Sequence, residues 1–467
     1  MQRNSNPKNQ RGGRTQSGNL PPDPPARPCG FLPPEFRHQQ RFHTRRRPAI
    51  PLLHSKRAQR KIERFHIRHP PRTPAAPFRM RQSAPPERES IRAGAVEIVK
   101  ESEGSIEEFC PTSSRLYVND LLGGPSRVRV FDLAGKRLAD LPVPPISSVD
   151  GMVAVEGDDL LIEIGSYLEL PAWLRFSAAG GACRKTALLQ TSIVDYSDTE
   201  VIREYARSKD GTMVPLDILR RKSARLDGAN PTILYGYGGY GVSMTPKFSA
   251  SRRIWLDQGG VFVLAILRGG GEFGDEWHLA GNLQRKQNVF DDFYACAEWL
   301  VEHKYTSPAK LAIFGESNGG LLMGAALTEH PEYYRAVVSR VGIYDSLRAE
   351  TTTNGRFNVT EYGSVNDPEQ FKALYAYSPY HHVVDGVKYP SILLTTGAND
   401  PRVDPWHSRK FCARLQAASA SGNPILLRTS KTSGHGMGNS LDETIAERTD
   451  IFAFLIHELG VEFRPAM

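Results

Sequence analysis

The stretch KLAIFGESNGGLLMGAAL, Lys310 to Leu327, decides how the chain is read. Its opening run, KLAIFG, has the length and composition of a short buried strand. The run that follows, NGGLLMGAALTEH, has the length of a helix. Between them Gly315-Glu316-Ser317-Asn318-Gly319 fits the frame G-x-S-x-G. Such a frame suits a strained strand-to-helix turn that lifts a serine hydroxyl above a sheet edge. The flanking glycines remove side chains that would collide with the neighbouring strand and helix. An ordinary glycine-rich turn capped by a serine has the same local pattern, so the frame alone is weak.

Partners strengthen it. A serine at neutral pH is a poor nucleophile; it needs a base, and the base needs an orienting acid. On this architecture the chain order is Ser, then Asp or Glu, then His. TTGANDPRVDPWHS follows a predicted strand and offers Asp400 and Asp404 on its exit loop. SKTSGHGMGNS follows the next strand and sets His435 between two glycines. Ser317, Asp400 and His435 therefore come in the required order, each after its own strand. His381 and His382, an adjacent pair, and the helical His407 and His457 have weaker claims. Acyl transfer also needs donors for a developing oxyanion. The Asn318 backbone N–H is placed for one. The strand end LYGYGGYG could supply another, from its backbone or from a tyrosine hydroxyl.

The surroundings agree with this layout. From about residue 191 the chain alternates strands (PTILYGYGGYG, GGVFVLAILRGGG, YRAVVSRVGIYD, YPSILLTTGAND, NPILLRTS) with helices (DDFYACAEWLVEH, PWHSRKFCARLQAA, LDETIAERTDIFAFLIHELG). This implies an α/β fold with a mostly parallel sheet covered on both faces, its site beyond the carboxyl ends of the strands. Residues 96–190 instead hold short alternating runs punctuated by Gly, Asp-Gly or Pro, the mark of antiparallel meander strands. They supply strands for about two β-propeller blades, where a propeller usually has four or more.

Residues 1–95 differ again. They hold 21 Lys plus Arg against five acids, so the net charge of +8 belongs to this segment and the remainder is acidic. They are Pro-rich and lack helix or strand periodicity, which predicts a disordered tail. Nucleic-acid binding is not expected except through that basic tail. The five cysteines are scattered and without metal-ligand spacing, which argues against a disulfide framework and a zinc site and favours a reducing, cytoplasmic setting. No run of eighteen apolar residues is present, so no membrane partner is expected. Neither a cofactor nor a metal is called for.

YGYGGYG, LRGGGEFGDEWHLAGN, KQNVFDDF, ESNGGLLMGA, ANDPRVDPWHS and SGHGMG resemble, in order and spacing, the peptidase domain of the prolyl oligopeptidase family of serine peptidases. The match covers about residues 190–460, and the residues before it resemble the last blades of that family's β-propeller. The resemblance implies an α/β-hydrolase fold with Ser317 as nucleophile, Asp400 as orienting acid and His435 as base. It implies an oxyanion hole of the Tyr237 hydroxyl and the Asn318 amide, and a carbonyl-binding Arg402. It implies a specificity pocket lined by Tyr240, Ile343, Asn358, Tyr362 and Val403. The implied division is a tail over 1–95, about two blades over 96–190 and the peptidase domain over 191–467.

Departures from the family set further expectations. Glu316 stands where the family often has glycine, and its carboxylate is expected to act on the neighbouring imidazole. Pro401 stands where a second, non-triad Asp is common. Asn358 falls where prolyl-cleaving members carry a tryptophan that stacks on the substrate proline, so strict post-proline cleavage is not expected. Family propellers have seven blades where this chain has strands for about two, and the family's N-terminal segment is expected to be absent or replaced by the Arg/Pro tail, which reads as a truncated propeller. A serine peptidase acting on an oligopeptide substrate through an acyl-enzyme is the reading that the resemblance implies. The alternatives are a serine carboxylesterase or acyl-peptide hydrolase on the same fold, or a truncated inactive remnant.

Overall fold

The computed structural model describes residues 97–436 and 438–465. The tail expected over 1–95, with Cys29, lies outside the described residues.

Two small antiparallel sheets come first. β1 (Ser105–Pro111), β2 (Arg115–Leu121) and β3 (Ser126–Asp132) form a three-stranded meander. β4 (Ser147–Ala154), β5 (Leu160–Ser166), β6 (Ala172–Ser177) and β7 (Ala182–Leu189) form a four-stranded one. Alternation along the strands sends Tyr117, Val128 and Val130 from the first sheet, and Leu160, Ile162 and Phe176 from the second, into one shared core. After β3 the chain doubles back, and Leu141 bridges to Val128 along the free edge of the first sheet.

The third sheet has eight strands: β8 (Thr199–Arg207), β9 (Met213–Arg221), β10 (Thr232–Tyr235), β11 (Val261–Ala265), β12 (Leu311–Glu316), β13 (Ala336–Arg340), β14 (Ser391–Gly397) and β15 (Ile425–Ser430). Their spatial order is β15-β14-β13-β12-β10-β11-β9-β8. β10 to β15 pair in parallel. β9 pairs antiparallel with β11, and β8 antiparallel with β9. This hairpin is a difference from the alternation read in the sequence. It turns at Asp210-Gly211, with Gly211 at φ 91°. Its inner pair is Arg203 opposite Asp217, joined by two hydrogen bonds of 2.7 and 2.8 Å. Charged residues in the strands interrupt the apolar alternation there.

The parallel strands are apolar on both faces because both are covered. Leu234, Ile313, Val337, Ile392 and Leu394 point into the core built with helices Gln287–Glu302, Asn318–Glu329 and Trp406–Ala418. Their neighbours Ile233, Ala312, Val338 and Leu393 point the other way, against helices Ser251–Asp257 and Leu441–Glu458. The last helix starts on an N-cap serine, the Ser440 hydroxyl accepting the Glu443 N–H at 3.2 Å. It buries Ile451, Phe454 and Leu455, each side chain contributing about 1.5–3 kcal/mol.

Sheet order and covering helices make this an α/β-hydrolase fold preceded by an all-β piece. The two parts touch where Gly123 N–H donates to the Glu272 carbonyl (2.9 Å) and the Tyr167 hydroxyl donates to Asp217 (2.8 Å). Among the described residues no helix is long and apolar enough to cross a membrane. Nor do three or more His, Cys, Asp or Glu side chains gather there as a metal would need.

Candidate active site

β12 ends at Glu316, and the helix Asn318–Glu329 begins two residues later. Ser317 makes the turn between them at φ 58°, ψ −115°, a backbone conformation costing about 1–3 kcal/mol for a residue with a side chain. The glycines around it answer to contact. A Cβ on Gly315 would stand 2.3 Å from the Gly319 carbonyl oxygen, and one on Gly319 would stand 2.7 Å from that of Gly236. A Cβ on Gly320 would stand 2.5 Å from the Gly342 Cα. The turn therefore fits only if these positions carry no side chain. The helix behind it is buried on all sides from Asn318 to Leu327, which clamps the strained residue.

The loops after β14 and β15 carry the partners. His435 Nε2 lies 2.9 Å from Ser317 Oγ, and its Nδ1 lies 2.7 Å from Asp400 Oδ2. The other carboxylate oxygen, Oδ1, accepts the backbone N–H groups of Arg402 and Val403, both at 2.9 Å. An ionised carboxylate only accepts, so Nδ1 carries the ring proton and Nε2 is free to accept the serine proton. Asp404, the other acid on this loop, makes no such contact. The two loops are tied together: Asn399 N–H donates to the Ser433 carbonyl at 3.1 Å. A Cβ on Gly397 would meet the Ser433 and Gly434 carbonyl oxygens at 2.3 Å.

The segment after β10 faces the same turn. The Asn318 carboxamide donates to the Tyr237 carbonyl and accepts from the Tyr362 hydroxyl at 2.9 Å. Sequence reasoning gave Asn318 only its backbone N–H. Its buried side chain also pins the Tyr237 loop to the pocket wall, and Gly239 is glycine because a Cβ there would lie 2.6 Å from that carboxamide. Burial pushes the Tyr237 hydroxyl's pKa up, while the Arg402 charge and the Ser317 hydroxyl oppose the shift. Arg402 is exposed and, among the described residues, has no carboxylate within ion-pair distance.

Ile343, Asn358, Tyr362 and Val403 are buried, and Tyr240 is partly so. The Tyr240 hydroxyl donates to Asn358 Oδ1 at 2.7 Å, and its ring meets Tyr362 edge-on with centroids 5.6 Å apart. Sequence reasoning missed Phe357. Its ring is 67% exposed and lies nearly parallel to Tyr240, at 15° and 6.2 Å. An aromatic beside the polar Asn358 was the available signal.

Two ionic groups brace the site. Lys286, fully buried, donates to the Gly238 carbonyl at 2.9 Å and to Glu361 at 2.7 Å, with His278 on the other Glu361 oxygen at 2.8 Å. Burial lowers the Lys286 pKa and the Glu361 charge opposes this. The second group corrects the expectation for Glu316. Its carboxylate is taken up by the guanidinium of Arg340, its cross-strand neighbour, rather than left to act on the imidazole alone. Neither Lys286 nor Arg340 stands out in sequence, because their partners are distant along the chain.

A strained elbow serine, a histidine in reach of it and a carboxylate behind that histidine meet at the strand ends of an α/β-hydrolase fold. Residues 246–462 match the prolyl oligopeptidase family. The chain is 37% identical over 350 residues to the prolyl endopeptidase of Elizabethkingia miricola, covering 74% of this chain and 49% of that protein. It is 35% identical over 345 residues to prolyl oligopeptidase A of Galerina marginata, covering 73% and 47%. Among solved structures, a prolyl endopeptidase superposes with a TM-score of 0.73 at 40% identity, covering 78% of this chain and 54% of that one. Prolyl oligopeptidase B of Galerina marginata gives 0.72 at 31%, covering 78% and 52%. The chain belongs to the prolyl oligopeptidase family, and it spans about half the length of the relatives it matches.

Proposed function

We propose that the chain is a serine peptidase that hydrolyses oligopeptides through an acyl-enzyme. The hydrogen-bonded run from Ser317 Oγ through the His435 ring to Asp400 Oδ2, at 2.9 and 2.7 Å, carries this reading. Ser317 Oγ attacks the scissile carbonyl carbon as its proton passes to His435 Nε2. The oxyanion that forms accepts from the Asn318 N–H and the Tyr237 O–H. The imidazolium then gives its proton to the leaving amine, the C–N bond breaks, and an ester on Ser317 remains. A water repeats the sequence, releasing the acid and restoring the serine. Asp400 fixes the ring tautomer and stabilises the imidazolium. Exposed Arg402 binds a substrate carbonyl beside the site.

The side chain before the cleaved bond sits among Tyr240, Ile343, Asn358, Tyr362 and Val403. With Asn358 accepting from Tyr240 in place of a stacking indole, cleavage extends beyond strict post-proline bonds. Residues 191–467 form the peptidase domain in this reading, with about two blades over 96–190 and the Arg/Pro-rich tail over 1–95.

The test is labelling by a fluorophosphonate, with turnover of a peptide library and of p-nitrophenyl esters, in wild type and Ser317→Ala. Labelling and peptide cleavage in wild type alone support the reading. Equal labelling of both proteins overturns it, as does ester turnover well above that of any peptide.

A further inference from the structure

We propose that Arg340 is a positioning residue that holds the serine turn and the histidine loop in one arrangement through a two-sided grip on Glu316 and Glu447. The proposal rests on the reading that Ser317 and His435 perform acyl transfer.

Arg340 ends β13, between the strand that carries the serine turn and the strand that leads to Asp400. In register it stands opposite Glu316 on β12 and Thr395 on β14. Its carbonyl accepts the Ser317 N–H at 2.9 Å, so its backbone already touches the strained residue. Its side chain reaches three further elements. One guanidinium nitrogen donates to Glu316 Oε2, next to the nucleophile. Nε and the other terminal nitrogen form a fork on Glu447, at 3.1 and 2.6 Å. That second nitrogen also lies under the histidine loop: a Cβ built on Gly436, the residue after His435, would be 3.7 Å from it.

Glu447 is an unusual residue for its place. It lies one turn before Ile451 on the core-facing side of the last helix, and its side chain is 11% exposed. The Thr395 hydroxyl donates to its Oε1 at 2.8 Å, completing its hydrogen bonding from β14. Burial alone would favour the neutral acid; the Arg340 charge outweighs it and holds the Glu447 pKa below the usual carboxylate range. Burial likewise opposes the charge on Arg340, and the Glu447 and Glu316 carboxylates prevail. A buried carboxylate and a nearly buried guanidinium are retained here although apolar side chains would fill the space at lower desolvation cost. Their arrangement is directional. A planar fork fixes the guanidinium in one plane, which a lysine's single ammonium cannot do. The grip thereby joins the serine turn, β14 and the last helix beneath the loop whose ring must sit within hydrogen-bond reach of Ser317.

The test compares full-length wild type with Arg340→Met, Arg340→Lys and the double variant Arg340→Met/Glu316→Gln. Rates are normalised to active sites titrated with a fluorophosphonate, so that a lower folded fraction does not count. Arg340→Met is expected to lose about tenfold or more in kcat and in labelling rate, the scale expected when reacting groups are misplaced by a fraction of an ångström. KM should change little, and Arg340→Lys should recover part of the loss. The double variant should stay as slow as Arg340→Met, because removing the unpaired carboxylate does not restore the grip. Unchanged kcat per titrated site in Arg340→Met overturns the proposal, and so does full recovery in the double variant. If Arg340→Met does not fold, Glu447→Gln, which keeps the shape of the side chain, is read in the same way. Wild type that fails to label at all would instead overturn the peptidase reading beneath it.

Discussion

Asp400 divides its carboxylate between His435 and its own loop: Oδ2 faces the ring nitrogen at 2.7 Å while Oδ1 takes the backbone N–H groups of Arg402 and Val403. The backbone donors fix the carboxylate, and the carboxylate fixes the ring. Asp400→Asn separates the two tasks. Its amide oxygen can keep the two backbone donors, which turns the NH2 toward Nδ1. The ring must then accept there and carry its proton on Nε2, where it repels the serine proton. We expect kcat to fall by about 10⁴-fold, as when the corresponding carboxylate of other triads is made an amide, with KM and melting temperature close to wild type. Steady-state kinetics and a thermal melt check this; a loss below tenfold would detach Asp400 from the chemistry.

Much of this site was legible in the chain because its parts are local. The glycines of the turn, the loop after β14 and the loop after β15 each sit within a few residues of a recognisable strand end. Strand periodicity then brings those ends to one sheet edge. What was not legible depends on contacts between remote segments. Glu316 looks in sequence like a charge beside Ser317, yet it is taken up by Arg340, 24 residues along the chain, which also holds Glu447, 107 residues further on. The Asn318 side chain bridges Tyr237 and Tyr362 across similar separations. The hairpin β8–β9 was hidden differently: Arg203 and Asp217 occupy positions that an apolar alternation would give to aliphatic residues.

Gly315 offers a check on the turn itself. A methyl group there would be driven into the Gly319 carbonyl, 2.3 Å away, and neither the buried helix nor β12 can yield. Overpacking of this kind costs about 1–3 kcal/mol. Gly315→Ala should therefore lower the melting temperature by several degrees. It should also slow fluorophosphonate labelling per folded molecule, because relief of the clash moves Ser317. A variant that melts lower yet labels at the wild-type rate would separate the glycine from the serine's placement.

The pocket gives a gain-of-specificity test. Asn358 presents a carboxamide oxygen to Tyr240, and the exposed ring beside it is that of Phe357. Asn358→Trp replaces the polar wall with a flat apolar one suited to a pyrrolidine ring. The ratio of kcat/KM for Pro over Ala before the cleaved bond should rise by about tenfold or more, the scale on which apolar groups discriminate in a specificity pocket. Matched fluorogenic peptides measure it. An unchanged or reduced ratio would place specificity elsewhere than at this wall.

Glu272 predicts how stability responds to pH. It lies in the loop after β11, and its carbonyl takes the Gly123 N–H from the all-β part. Its carboxyl is fully buried: Oε1 accepts the Met244 N–H at 2.7 Å and Oε2 has no partner among the described residues. Burial pushes its pKa up to about 8, against which the Met244 and Glu272 N–H groups and the Arg203 charge act in the other direction. Arg203 is itself committed to Asp217, which also accepts from Tyr167. The folded protein therefore keeps the Glu272 proton to higher pH than the unfolded chain, whose carboxyl ionises near its ordinary value of 4.5. Stability from this group is complete below that value and declines as pH rises toward about 8, where the folded carboxyl also ionises. Glu272→Gln keeps the bond to Met244 and cannot ionise. The melting temperature of the variant relative to wild type should therefore rise steadily between about pH 5 and about pH 8 and level off above. Melts across this range decide the matter: a difference that stays flat with pH would show that Glu272 does not bind its proton in the folded protein.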